Sequence, residues 1–440
     1  MNRGYDKSPR LDGRGRFVCI IYRLKKERFP MKKTLALVLA LVLCLGLLAA
    51  CSGNKGGGTT PTAAPAPGGA TEAPTANTTP IKIGYLGPLT GGVAQYGIAV
   101  QNGVKLYVDQ LNAAGGINGR QIDLVSYDEE GDATKAITGY NSLMDSGVVA
   151  IVGDVTTGPC TAVVAEAYPD NTPMITASAT ATSITYNADT NTVYTNMFRS
   201  CFIDPFQGET MARFAYDVLK AKTAAVLYDN GDTYSTGVYE YFVSKANELG
   251  LELVAVESYA SGAVDFSGQL TNIAAKNPDV LFLPIYYNDV ALVASQAADA
   301  GLKATMLGVD GWSSVLDAVT DTALVEGAYY CSGYSAADTG ALVQKFLSDY
   351  AAAYNGATPN MFDAQGYDAA WILCDAIAKA EASGKTYGSD EYKAEIIAAM
   401  KATDSDYVTG HVSYDDHNDP QKTAAIINIV GGEEKFWGSY

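Results

Sequence analysis

From Ile81 onward the sequence predicts an α/β fold of two doubly wound units in tandem, each an open parallel sheet with helices on both faces. Three observations predict it. Short apolar runs alternate with stretches whose apolar residues recur at helical spacing, which is the signature of repeated βα units. The same alternation runs once to Thr176 and then starts again at Ala224. The chain's 440 residues are also too many for one ordinary core and suit two lobes of typical domain size.

The elements follow in order. Ile81 to Leu86 is an apolar strand closed by the turn Gly87-Pro88. Val100, Val104, Tyr107, Val108 and Leu111 then share one helix face, and Gly115-Gly116 stops that helix. A strand at Ile122 to Tyr127, a helix from about Ala133, a strand at Val148 to Gly153, a helix after Pro159 and a strand at Met174 to Thr176 complete the first unit. The second unit repeats the pattern. Its strands are Ala224 to Tyr228, Leu253 to Tyr259, Val280 to Ile285 and Met306 to Gly308. Its helices are Thr236 to Leu249, Ser267 to Ala275 and Val290 to Ala300. Three long helices come last, at Thr339 to Tyr354, Asp363 to Ala382 and Glu391 to Ala402, with strands at Gly410 to Tyr414 and Thr423 to Val430. On the second of these helices Ala364, Tyr367, Trp371, Cys374 and Ile377 form a stripe that reads as core packing.

Ahead of the folded part stand three segments of different chemistry. Lys32-Lys33, the apolar run Leu35 to Leu48 and then Leu48-Ala49-Ala50-Cys51 read as a signal peptide over residues 31–50, too short for a full membrane span. The last four residues resemble the bacterial lipobox, which implies cleavage before Cys51 and acylation of its thiol; a plain signal peptide or a signal anchor is the competing assignment. Acyl chains would hold the protein at the membrane surface. Residues 1–30 are rich in Arg and Lys and fit neither leader nor domain, as expected of an extension from an upstream mis-called start. Residues 51–80 are mostly Gly, Thr, Pro and Ala and form a flexible tether. Without residues 1–50 the chain keeps 19 basic and 45 acidic residues, a net charge near −26, which excludes a nucleic-acid partner.

Chemistry-bearing motifs are few. Cys160, Cys201, Cys331 and Cys374 remain in the mature chain without a CxxC spacing, so metal and redox-motif assignments fail. Cys160–Cys201 is the pair to test for a disulfide, with buried free thiols equally open. His411 and His417 sit in no metal-ligand spacing, and no nucleophile elbow, phosphate loop or dinucleotide fingerprint is present. The expectation is therefore no enzyme, no metal and no cofactor. Asp415 to Pro420 lacks the spacing and the final Glu of a calcium loop and reads as a polar turn.

In open α/β sheets ligands bind beyond the carboxyl ends of the strands, where helix N-termini point their amides. In the first unit these ends carry Asp154-Val155-Thr156-Thr157-Gly158-Pro159 and Ala177-Ser178-Ala179-Thr180-Ala181-Thr182, hydroxyls with little bulk that suit a carboxylate. In the second they carry Tyr234, Tyr286-Tyr287, and Asp310 with Trp312, which offer aromatic walls and a partner for an ammonium group. Each loop taken alone is ordinary capping or surface.

The stretches Ile81-Lys-Ile-Gly, Gly87-Pro88-Leu-Thr90-Gly91, Ala94-Gln95-Tyr96-Gly97, Asn102-Gly103 and Asn112 to Gly119 resemble the leucine/isoleucine/valine-binding proteins, solute receptors of branched-chain amino-acid ABC transporters. Tyr127-Asp128 to Asp132, Tyr228-Asp229, Asp265-Phe266 and Ala300-Gly301-Leu302-Lys303 continue the likeness. The resemblance implies the type I periplasmic-binding fold, two Rossmann-like lobes joined by a three-crossover hinge. Lobe 1 is then residues 81–201 plus 331–421, and lobe 2 is 202–330 plus 422–440. Position by position it implies that Thr157 binds the ligand carboxylate and that the backbone carbonyl of Ser178 accepts from the ammonium. Thr180 touches both charged groups, Asp310 stands in for a glutamate that neutralises the ammonium, and Tyr96, Tyr234 and Tyr286 line the cleft.

The expected function is an extracytoplasmic, lipid-anchored, monomeric binding protein. It would capture an amino acid, branched-chain or otherwise aliphatic, by hinge closure and deliver it to an ABC permease. A sensor of the same fold feeding a signalling receptor, a receptor for a non-amino-acid solute, and an extracellular hydrolase using carboxylates are the alternatives.

Overall fold

The computed structural model describes residues 78–440. The expected extension, the signal peptide, Cys51 and the tether up to residue 77 lie outside the described residues.

The first sheet is built from β1 (Ile81–Gly87), β2 (Ile122–Asp128), β3 (Ile151–Val152), β4 (Met174–Thr176) and β7 (Met197–Arg199), in the order β2-β1-β3-β4-β7. All its pairings are parallel. Helices α1 (Ala94–Ala113), α2 (Ala133–Asp145) and α3 (Thr157–Ala167) connect the strands, and a small hairpin, β5 (Tyr186–Asn187) with β6 (Thr192–Val193), precedes β7. The inner strands bury apolar residues on both faces, Ile81, Ile83, Tyr85 and Leu86 in β1 for example, while the edge strand β2 buries only Ile122.

The second sheet has seven strands in the order β16-β15-β12-β11-β10-β8-β9. Its parallel part comprises β8 (Thr223–Asp229), β9 (Glu252–Tyr259), β10 (Val280–Phe282), β11 (Thr305–Gly308) and β12 (Tyr329–Ser332). Helices α4 (Asp204–Arg213), α5 (Thr233–Leu249), α6 (Ser267–Ala274), α7 (Tyr287–Asp299) and the short α8 (Val315–Ala318) accompany it. The C-terminal strands β15 (Ala425–Val430) and β16 (Glu433–Ser439) add antiparallel to its edge. Two doubly wound units in tandem are thus the observed class.

Between β12 and β15 the chain returns to the first sheet through α9 (Ala341–Ala353), α10 (Met361–Ala382), α11 (Asp390–Lys401) and the hairpin β13 (Asp404–Tyr407) with β14 (Gly410–Ser413). The return begins after Ser332 because Cys331 and Ser332 still pair with Ile426 and Ala425 of β15. What brings α10 back is a backbone-to-backbone crossing with α1. A Cβ on Gly103 would lie 1.9 Å from the Asp363 carbonyl oxygen, and one on Gly366 would lie 2.3 Å from that of Val100, so only glycines permit the approach. An Asn360/Asp363 capping box starts α10, and nearly its whole circumference is buried, with Trp371 of the expected stripe only partly covered.

The four cysteines of the described part are buried free thiols, so Cys160 and Cys201 are not joined. Among the described residues no group of His, Cys, Asp or Glu is arranged to hold a metal ion, and no helix is long and apolar enough to cross a membrane.

Candidate ligand-binding cleft

The carboxyl ends of the two sheets meet across a small cavity. It is lined by Tyr96, Val155, Thr156, Thr157, Ser178, Tyr234, Tyr286, Asp310, Gly311 and Phe362. Six of the seven residues expected from the sequence are therefore brought together. The hollow takes in about 240 Å³, part of it open to solvent.

The polar wall comes from the first sheet. After β3 the chain passes Asp154 and Val155 and enters α3 with Thr156 as an extended N-cap and Thr157 as the first helical residue. The first turn of α3 has no acidic side chain; just before it the buried Asp154 carboxyl accepts from the Val155 amide, and Thr156 and Thr157 line the cavity. Hydroxyl bonds brace this loop against the next one. Thr176 Oγ1 donates to the Asp154 carbonyl at 2.6 Å and Ser178 Oγ to the Val155 carbonyl at 2.7 Å, while the amides of Ser178 and Ala179 donate to Thr176 Oγ1. The Ser178 hydroxyl is thus spent within the protein.

The aromatic wall comes mainly from the second sheet. Tyr234 and Tyr286 stack in parallel with centroids 4.8 Å apart, and Tyr96 meets Tyr286 edge-on at 5.6 Å and Phe362 at 4.7 Å. Asp310 lies at the foot of this wall. Tyr234 Oη donates to Asp310 Oδ1 at 2.6 Å and accepts from the Gly311 amide at 3.0 Å; the Asp310 amide donates to Gln207 Oε1 at 3.0 Å. Burial pushes the Asp310 carboxyl up to about 6, against the lowering effect of its Tyr234, Gln207 and Gly311 hydrogen bonds. Among the described residues no Lys, Arg or His forms an ion pair with it. A carboxylate that is 3% exposed and has no cation is an expensive thing to keep, unless a cation arrives with the ligand.

Thr180 is the seventh expected residue, and it does not line the cavity. It is fully buried beside Asp204, the first residue of α4: its carbonyl accepts from the Asp204 amide at 3.0 Å, and its hydroxyl lies next to the Asp204 carboxyl. Burial raises the Asp204 carboxyl to about 8, so this group is neutral at pH 7 while Asp310 is ionised. Trp312, expected as a cleft aromatic, is instead a core residue with its indole N–H donating to the Leu283 carbonyl at 3.0 Å. Tyr287 borders the cleft without lining the cavity.

Several contributors carry no local sequence signal. Phe362 arrives from α10 and Gln207 from α4, both far along the chain from the loops they complete. Arg199, at the end of β7, is fully buried: it donates to the carbonyls of Ala179 and Ala181 at 2.9 Å and to Thr185 Oγ1 at 3.0 Å, and pairs through Nε with Asp419 at 2.7 Å. The polar turn Asp415 to Pro420 thereby braces the loop that carries Ser178 and Thr180. No ligand loop of metal type is formed there.

The comparisons with known proteins agree with this architecture. A family model described as periplasmic binding protein matches residues 80–433. The Leu/Ile/Val-binding protein BraC3 of Rhizobium johnstonii is 31% identical over 73% of this chain and 83% of its own length. The leucine-binding protein LivK of Thermotoga maritima superposes with a TM-score of 0.73 at 29% identity, over 82% of this chain and 98% of that one. The branched-chain amino acid transporter substrate binding protein LivJ of Streptococcus pneumoniae, solved in complex with isoleucine, gives 0.73 at 30% identity over the same shares. With a family model spanning nearly all the described residues, two facing doubly wound sheets and a cavity between their carboxyl ends, the chain belongs to the periplasmic binding protein family.

Proposed function

We propose that this protein is the solute receptor of an ABC importer that captures an α-amino acid with a small aliphatic side chain. The observation that carries the proposal is the pairing of opposites across the cavity: Asp310, buried without a protein cation, faces the hydroxyl-bearing N-terminus of α3 at Thr156 and Thr157, with Ser178 beside it. An α-amino acid bears the matching charges on adjacent groups, ammonium toward Asp310 and carboxylate toward α3. The four aromatic rings and Val155 supply apolar surface for its side chain. Relatives whose names specify leucine, isoleucine and valine support the same ligand class.

Residues 81–201 with 333–421 act as one lobe and 202–332 with 422–440 as the other, closing on a ligand that touches both. Closure follows because such a ligand binds the closed form better than the open one. The cavity binds and releases its ligand unchanged, and the liganded monomer docks on the permease. Cys51, acylated after removal of the leader, anchors the protein outside the cytoplasmic membrane, and Cys51→Ser should move it from the membrane fraction to the medium or periplasm.

The test is calorimetric titration of residues 52–440, refolded to strip carried-over solute, with leucine, isoleucine, valine and phenylalanine. Micromolar or tighter binding of an aliphatic member is expected; no binding by any α-amino acid would overturn the proposal.

A further inference from the structure

The two halves are also joined across the cleft by hydrogen bonds in which no ligand takes part. Tyr287, the first residue of α7, packs edge-on against Tyr96 with centroids 4.9 Å apart. Its hydroxyl donates to the Gly92 carbonyl at 2.9 Å and accepts from the Gln95 amide at 3.3 Å, both on the approach to α1 in the first half. Its amide donates to the Tyr96 hydroxyl at 3.1 Å, and that hydroxyl donates to the Gly311 carbonyl at 2.5 Å. A tyrosine that only supports its own half bonds within it, as Tyr259 does by donating to Asp289 at 2.7 Å. The Tyr287 hydroxyl bonds only to the opposite half.

We infer that Tyr287 is an affinity- and size-determining latch, a positioning residue that touches no ligand and holds the two halves together. Apparent affinity is the intrinsic affinity of the closed form reduced by the fraction of molecules that are closed, so any ligand-independent closing contact raises it. The rings that line the cleft stand close together, Tyr234 on Tyr286 at 4.8 Å and Tyr96 edge-on to Tyr286 at 5.6 Å. A ligand with a small side chain parts the rings least and keeps the latch. A bulky one holds the rings apart, draws Gly92 away from Tyr287 and forfeits it. Tyr287 therefore favours small side chains from outside the cavity. The size preference rests on the amino-acid reading above; the latch itself does not.

Tyr287→Phe removes only the hydroxyl, with Tyr259→Phe as a control that removes an equivalent hydroxyl within one half. Small-angle X-ray scattering of ligand-free residues 52–440, which contain the compact unit Ala73–Tyr440, reads closure directly. Tyr287→Phe should be more extended than the parent and the control, and should lose roughly 10-fold in valine affinity while phenylalanine affinity changes less than about 2-fold. Identical scattering for all three proteins overturns the latch whatever the ligands do. More extended scattering with equal losses for valine and phenylalanine overturns its role in size selection. If no amino acid binds the parent, the function proposed above fails, while the scattering still decides the latch.

Discussion

Two regions of this molecule each bury a carboxylate near the cleft, and they treat it in opposite ways. At the third crossover Asp419 is paired with Arg199, and Thr185 Oγ1 donates to the same carboxylate oxygen. At the rim of the second sheet Asp310 has hydrogen-bond donors and no cation. Both are almost fully covered. The first arrangement is complete without a ligand and is structural. The second lacks a protein cation, which is why we propose that Asp310 receives the ammonium of a ligand. The lesson is that an unpaired buried charge is better evidence for a site than the size of a cavity. Two larger hollows elsewhere on the surface, about 810 and 1190 Å³, show no such convergence of walls and charges.

The sharpest way to break this comparison is to neutralise each carboxylate. Asp419→Asn leaves Arg199 buried without its partner and should cost about 3–5 kcal/mol of stability, read as a lowered midpoint of chemical unfolding. Asp310→Asn should do the reverse. The carboxyl stands at about 6 in the folded state against 3.8 unfolded. A folded value raised above the unfolded one means that stability is lost as pH rises from 3.8 to 6, about 3 kcal/mol by pH 7. Asp310→Asn removes that loss, so the ligand-free variant should melt at the same or a higher temperature while amino-acid affinity falls on the order of 100-fold. Destabilisation by both substitutions would make Asp310 another structural carboxylate.

A smaller effect is expected on the opposite wall. Thr157→Val keeps the shape of the α3 N-terminus and removes a hydroxyl from the cavity lining, and affinity should drop roughly 10-fold with little change in melting temperature. The smallest is a pH effect without mutation. The ammonium requires ionised Asp310, so affinity should fall about tenfold per unit below pH 6 and be flat from 7 to 8. Asp204, raised to about 8, stays neutral through the falling limb and does not contribute to it. The Asp310→Asn variant should show no such slope in calorimetry.

Much of this was legible in the amino-acid order, and the exceptions have physical reasons. The strand at Met174–Thr176 falls where alternation puts it, a short apolar run between polar segments. The apolar run Val148 to Gly153 contributes only Ile151–Val152 as a paired strand, since its flanking amides bond singly to Lys82 and Ile175 instead of continuing a ladder. Helix α4 has no readable pattern: it starts Asp204-Pro205, and Gly208 sits in its middle, where a Cβ would press to 2.6 Å from the Val238 carbonyl of α5. With α4 unseen, Gln207 behind Asp310 was unseen too. The site loops were legible because strand-end position, hydroxyl content and a lone Asp are local features. Thr180 and Trp312 stand beside the site in sequence but turn inward, one to Asp204 and one to Leu283, and which way a loop side chain turns is set by tertiary neighbours.

The central claim, that Asp310 awaits an ammonium group, is tested most directly by titrating residues 52–440 with leucine and with 4-methylpentanoate, the same molecule without its amino group. The account predicts micromolar or tighter binding of leucine and at least 100-fold weaker binding of the deaminated acid at pH 7, since the latter leaves Asp310 buried and unpaired. Equal affinities for the two would contradict it, and would mean that the cleft reads only a carboxylate and an apolar chain.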